Sequence, residues 1–252
     1  SSTAKGLWVP MQEQLAELRQ RHAEAAAMAR AWGLSCAALA DATSLLLGVI
    51  YNKPLTLAHW RTLGMLVGCG SLPRLSDLRV AGDHNGGEGV APLADGLRRG
   101  RLPSLRNLAL IDAQIGPQGA TALASALTKR ALPSLVFLNL SSNPLGDAGL
   151  AALLPALRRL PPLKGLALGE TNIGDEGVAS LVAQPTAGAL KSLEDLDFSG
   201  NQITDAGCAT LASALRGGAL PALKELDLDG NPASHEAKGA VYGSRAGLAP
   251  FA

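Results

Sequence analysis

Two short acidic motifs stand thirty residues apart late in the chain, Asp195-Leu196-Asp197 and Glu225-Leu226-Asp227. In each, carboxylates alternate with a leucine, which on a strand sends both acids to one face and the leucine to the other. If the two segments pair, the offset sets Asp195 beside Glu225 and Asp197 beside Asp227. Like charges about 5 Å apart repel by roughly 0.8 kcal/mol in water and roughly 3 kcal/mol at an effective dielectric near 20. Such cross-strand pairs are normally avoided, and a cation relieves them. Asp195, Asp197, Glu225, Asp227 and Asp229, with Glu170 at the rim, are therefore the candidate partner-binding residues. A basic segment of a partner protein is their expected ligand. The competing reading is a solvated face, screened by salt and by Lys191 and Lys224.

Catalysis and metal binding have weaker claims. His22, His59, His84 and His235 are scattered. His84 lies in the glycine-rich run from Gly82 to Gly89, which lacks the Lys-Ser/Thr of a phosphate loop and does not fit GxGxxG. It reads as a turn between a strand and a helix. Cys36, Cys69 and Cys208 are odd in number and have no CxxC spacing, so neither a disulfide framework nor a zinc site is expected. A reducing compartment, cytoplasmic or organellar, follows from that usage. No catalytic residue, metal or cofactor is expected.

Cations recur as Arg98-Arg99, Lys129-Arg130, Arg158-Arg159 and Arg216, each at the end of an expected helix. They offset the negative helix end by roughly 0.3–1 kcal/mol each, or they form a strip for anionic lipid or an acidic partner. Overall, Lys+Arg (22) balance Asp+Glu (21), leaving a net charge of +1 and no global field toward nucleic acid or membrane. Aromatics at 3% give few stacking platforms for single strands, so no nucleic acid partner is expected. Apolar residues at 47% supply a core. Gly33 to Asn52 carries one charge, Asp41, whose insertion at mid-bilayer costs about 2.5–3.5 kcal/mol. That stretch reads as a buried helix and strand, with no transmembrane span; peripheral membrane contact stays open.

The elements that must position these residues are repeated. Segments beginning at Leu75, Leu105, Leu135, Leu163, Leu193 and Leu223 each read LxxLxL, at offsets of 30, 30, 28, 30 and 30 residues. Most end in a polar residue three positions on, Asp83, Asn143, Thr171, Asn201 or Asn231, with Ala113 in the second copy. Gly89, Gly119, Gly149, Gly177 and Gly207 then share one position ahead of an apolar helical pattern. Cys208 follows that glycine where other copies place Val90, Ala120, Leu150 and Val178, so it reads as core. Asp147, Asp175 and Asp205 suit helix starts, and Thr204 suits an N-cap.

These copies resemble the leucine-rich repeat family, in particular its ribonuclease-inhibitor-like class, over about residues 72–242. The resemblance implies an α/β solenoid, a horseshoe with parallel strands on the concave face and helices on the convex face. Physics points the same way, because one strand–helix unit cannot bury its own apolar face and neighbours must stack. The expected outward residues on the concave face are Asp77, Arg79, Asn107, Ala109, Phe137, Asn139, Gly165 and Ala167, then the acids.

Ahead of the six copies, Leu47 to Asn52 reads as a divergent strand segment of the form LxLxxN, with Leu57 to Val67 as its helix. Met11 to Ala31 reads as an amphipathic helix packing across that first repeat. The expected organisation is residues 1–44 as an α-helical N-terminal cap, 45–242 as repeats and 243–252 as a C-terminal tail lying over the last repeat. Ser1 in place of Met reads as a processed chain or a fragment.

The expected function is a non-enzymatic protein–protein interaction module, a scaffold or a subunit of a larger assembly, binding through the concave face. The alternative is a GTPase-activating or other regulatory protein, because the Ran GTPase activators share this repeat class. The ribonuclease inhibitors themselves are richer in cysteine and acidic, unlike this chain.

Overall fold

A computed structural model describes residues 41–48, 56–82, 89–99, 102–183 and 188–251, together with Gln20, Ala23, Ala26 and Ala27. Among them, seven strands form one parallel sheet in chain order: β1 (Ser44–Gly48), β2 (Asp77–Ala81), β3 (Asn107–Ile111), β4 (Phe137–Asn139), β5 (Gly165–Ala167), β6 (Asp195–Asp197) and β7 (Glu225–Asp227). After each strand the chain returns through a helix: α1 (Leu57–Cys69), α2 (Val90–Arg98), α3 (Pro117–Ala126), α4 (Gly146–Leu157), α5 (Asp175–Val182), α6 (Asp205–Arg216) and α7 (His235–Tyr242). A short 3-10 helix, Gly188–Ser192, follows α5. This is a leucine-rich-repeat α/β solenoid.

The repeat offsets reappear as sheet register. Asp77 faces Asn107, Asn107 faces Phe137, Phe137 faces Gly165, Gly165 faces Asp195, and Asp195 faces Glu225. Leucines at equivalent places therefore stack into continuous buried ladders, such as Leu78, Leu108, Leu138, Leu166, Leu196 and Leu226. Helix leucines meet them from the other side, with Leu150, Leu153, Leu154 and Leu157 of α4 all buried. Cys208 is fully buried in this core, as its apolar equivalents predict, and burial pushes its thiol up.

The divergent first repeat differs from expectation by two residues. Leu45 faces Leu78 and Leu47 faces Val80, so β1 lies two residues earlier than the Leu47–Asn52 alignment places it. A slip of two keeps every side chain on its own face, and both alignments bury leucines. Asn52 is outside the described residues, as are Cys36 and most of the Met11–Ala31 helix.

From β3 onward, the turn after each strand is held by a recurring asparagine, Asn143, Asn201 or Asn231. Asn201 is 1% exposed; its Oδ1 accepts from the Thr171 and Ile173 N–H groups at 3.1 and 2.9 Å. Its Nδ2 donates to the carbonyls of Leu168 and Phe198 at 2.7 and 3.0 Å. One side chain thus completes the turn of its own repeat and of the one before. Asn143 does the same for the second copy, accepting from Ala113 and Ile115, which explains how Ala113 is tolerated. At Thr171 the hydroxyl donates to the Leu168 carbonyl at 2.6 Å.

The aspartates at the helix starts also bridge repeats. Asp147 Oδ1 accepts from the Gly174 N–H at 2.7 Å, Asp175 from the N–H and hydroxyl of Thr204, and Asp205 from those of Ser234. A Cβ on Gly207 would lie 2.2 Å from Asp175 Oδ1, so the shared glycine makes room for the neighbouring carboxylate.

The chain closes on the last strand. The Leu226 N–H donates to the Ala249 carbonyl at 3.0 Å, the Ala249 N–H donates to Lys224 at 2.9 Å, and Leu248 is 7% exposed.

Candidate functional site

Helices cover one face of the sheet; the other, open among the described residues, presents two rows of side chains across the strands. One row runs Asp77, Asn107, Phe137, Gly165, Asp195, Glu225, and the other Arg79, Ala109, Asn139, Ala167, Asp197, Asp227. Asp77 and Asn107 are joined directly by a hydrogen bond, and Ser76 Oγ donates to Asp77 at 2.5 Å. Those bonds hold the Asp77 carboxyl below its ordinary range. At the centre of the face three residues are small and apolar. Ala109 and Ala167 are each 6% exposed and Gly165 is buried, against the expectation that they point into solvent. The face is right but the side chains are too short to rise above their neighbours. The Phe137 ring lies over Gly165, where a Cβ would sit 2.3 Å from Phe137 Cδ2.

The acidic end is assembled as the spacing implies, with Asp195 opposite Glu225 and Asp197 opposite Asp227. Glu225, Asp229 and Glu170 are exposed, the other three half-buried. Their roles inside the fold differ. Asp197 Oδ1 accepts from the Ser199 N–H and hydroxyl at 2.8 and 2.7 Å, and Asp227 Oδ1 from the Asp229 N–H at 2.8 Å. Both therefore close the end of their own strand, as Asn139 does with Ser141. The side chains of Asp195 and Glu225 make no hydrogen bond or ion pair among the described residues. Glu170 stands on the next turn at φ 56°, accepting from Ser142 Oγ at 3.2 Å. Tyr242 borders the patch, and burial together with Asp229 and Asp227 pushes its phenol up.

Lys224 is committed elsewhere. Glu194 accepts from Lys164 at 2.8 Å and from Lys224 at 2.5 Å, a three-charge chain across β5, β6 and β7 just ahead of the acids. Those two ammonium groups bring the Glu194 carboxyl down to about 2. Lys224 is held above its ordinary value, by Glu194 first and also by Asp195 and Glu225. Sequence reading missed Lys164 and Glu194, although three charges of alternating sign at one repeat position were a usable signal. His59 completes a capping box at the start of α1, its Nδ1 accepting from the Thr56 N–H at 3.0 Å. Among the described residues no three His, Cys, Asp or Glu are grouped to hold a metal ion, and no helix is long and apolar enough to cross a membrane.

The parallel strands, the stacked helices and the asparagine-held turns together define a leucine-rich repeat architecture. The Leucine Rich repeat family matches the chain at residues 131–154, 160–182 and 189–212, the stretch that contains β4 to β6. No curated protein matches the chain. Leucine-rich repeats are commonly protein-interaction modules and are generally non-enzymatic.

Proposed function

We propose that this chain is a non-enzymatic interaction module, a scaffold or a subunit of an assembly, that binds a protein partner through its open sheet face. The acidic end, Asp195, Asp197, Glu225, Asp227 and Asp229 with Glu170, docks a basic segment of that partner. The carrying observation is the in-register pair Asp195–Glu225, two carboxylates held side by side with no internal hydrogen bond or ion pair among the described residues. The thirty-residue strand–helix unit favours the ribonuclease-inhibitor-like class. Residues 1–44 serve as the N-terminal cap and 243–252 as the closing tail. In the double variant Asp195→Asn, Glu225→Gln, relief of repulsion raises stability in denaturant unfolding. The same variant weakens binding of a lysine- and arginine-rich peptide and flattens its salt dependence. Unchanged peptide binding would reject the acidic end as the docking site.

A further inference from the structure

Because each helix returns the chain to the start of the next strand, the solenoid has two edges. At one, helices end and strands begin; at the other, strands end and helices begin. From Arg98 onward, every described lysine and arginine except Lys238 lies between the last turn of a helix and the following strand or closing tail. From Asp112 to Glu236, every acid outside the strands except Glu194 lies between a strand end and the first turn of the next helix. A net charge of +1 thus conceals two edges of opposite sign.

Helix ends account for only part of this. Each C-terminus carries about half a negative charge, whereas the connection after α3 alone presents Lys129 and Arg130. Some cations are used internally. Arg98 pairs with Asp95 at 3.1 Å, Arg158 Nη2 donates to the Ser180 carbonyl at 3.1 Å, and Arg245 donates to carbonyls at and beyond the end of α6. Arg99, Arg106, Lys129, Arg130, Arg159 and Arg216 are exposed and make no ion pair or side-chain hydrogen bond among the described residues.

A second feature shares this edge. Pro73, Pro103, Pro133, Pro162 and Pro221 are exposed, one in each described helix-to-strand connection except that between α5 and β6. A proline ring offers apolar surface with no N–H to strip of water. We propose that this edge docks on an anionic lipid surface. The cations reach headgroup phosphates and carboxylates, and the proline rings settle at the headgroup boundary. Duplex nucleic acid would use the cations but gain nothing from the rings, and no aromatic side chain lies in the described connections to stack on a base. The strands then point away from the bilayer, and the open sheet face stays free, so this proposal does not depend on the one above.

Co-sedimentation of the 252-residue chain with phosphatidylcholine vesicles, with and without phosphatidylserine, tests it. Binding is expected only with phosphatidylserine and declines as salt rises. A basic residue near an anionic leaflet contributes about a fivefold factor. The triple variant Lys129→Gln, Arg130→Gln, Arg159→Gln should therefore partition roughly a hundredfold more weakly, with an unchanged thermal melt. Arg99→Gln with Arg216→Gln repeats the test at other repeats, and Arg79→Gln on the open face leaves binding intact. Equal binding to both vesicle types, full binding by both charge variants, or tighter binding to duplex DNA than to vesicles would overturn the proposal.

Discussion

At the residue scale, one turn position shows how much a single backbone conformation constrains side-chain choice. Gly82, Asp112, Ser142, Glu170, Gly200 and Gly230 are equivalent, and all six have positive φ, from 49° to 70°. Glycine fills it without penalty, whereas an L-residue there costs about 1–2 kcal/mol. Part of that gain returns as lost unfolded-state restriction. Glu170→Gly should accordingly stabilise the chain by about 0.5–1 kcal/mol in urea unfolding while weakening the basic peptide, an opposition that a purely structural Glu170 would not produce. Asn201 gives the reverse case. Asn201→Ala strands the N–H groups of Thr171 and Ile173 in the core, while the Leu168 and Phe198 carbonyls keep the Thr171 hydroxyl and Asn231 Nδ2 as donors. At about 1–3 kcal/mol per unmet group, a loss of about 3 kcal/mol or more is expected in chemical denaturation. Glu194 adds a pH dependence. Its carboxyl is lowered from 4.5 to about 2, so its contribution is complete above pH 4.5 and fades as pH falls toward 2. Acid titration of Glu194→Gln beside the wild type should show the two stability curves converging across that window, and more weakly in high salt.

At the element scale, the first two helices are packed differently from the rest. A Cβ on Gly96 of α2 would lie 2.0 Å from the Gly64 carbonyl oxygen of α1, and one on Gly64 would lie 2.1 Å from the Pro92 oxygen. Backbone meets backbone there, with no flexible side chain to yield. Gly96→Ala should cost about 3 kcal/mol, at the upper end for overpacking. Gly239→Ala in α7, where a Cβ meets nothing within 4 Å, should instead gain about 0.5–1 kcal/mol from helix propensity. Paired thermal melts of the two variants separate a crossing constraint from a general intolerance of alanine. Much of this layer was legible beforehand, because each copy of LxxLxL fixes both the face and the offset of its strand. The start of β1 was not: Leu45/Leu47 and Leu47/Val49 satisfy the same alternation, and only pairing with Leu78 and Val80 decides between them. The acidic pairs followed from one offset of thirty residues. The strand-closing roles of Asp197 and Asp227 did not, since they depend on an N–H two residues on. Nor did the shelter of Gly165, which depends on a ring from the adjacent strand.

At the scale of the whole molecule, the repeats share one unbroken core from Leu45 to Leu248, and each repeat touches chiefly its neighbours. Stability in such a stack is a sum of local terms and interfaces, so hydrogen exchange should grade along the chain instead of reporting one global value. The two edges of opposite sign have a further, practical consequence. Chromatographic retention is governed by the patch that touches the resin, and the field of a patch reaches only about 8 Å at physiological ionic strength. Near its isoelectric point of about 7.7, the chain would pass an ion-exchange column if its charges were mixed evenly. With its charges sorted, it should be held in dilute buffer by a cation exchanger through one edge and by an anion exchanger through the other. The Lys129, Arg130 and Arg159 glutamine variant should lose the first retention and keep the second.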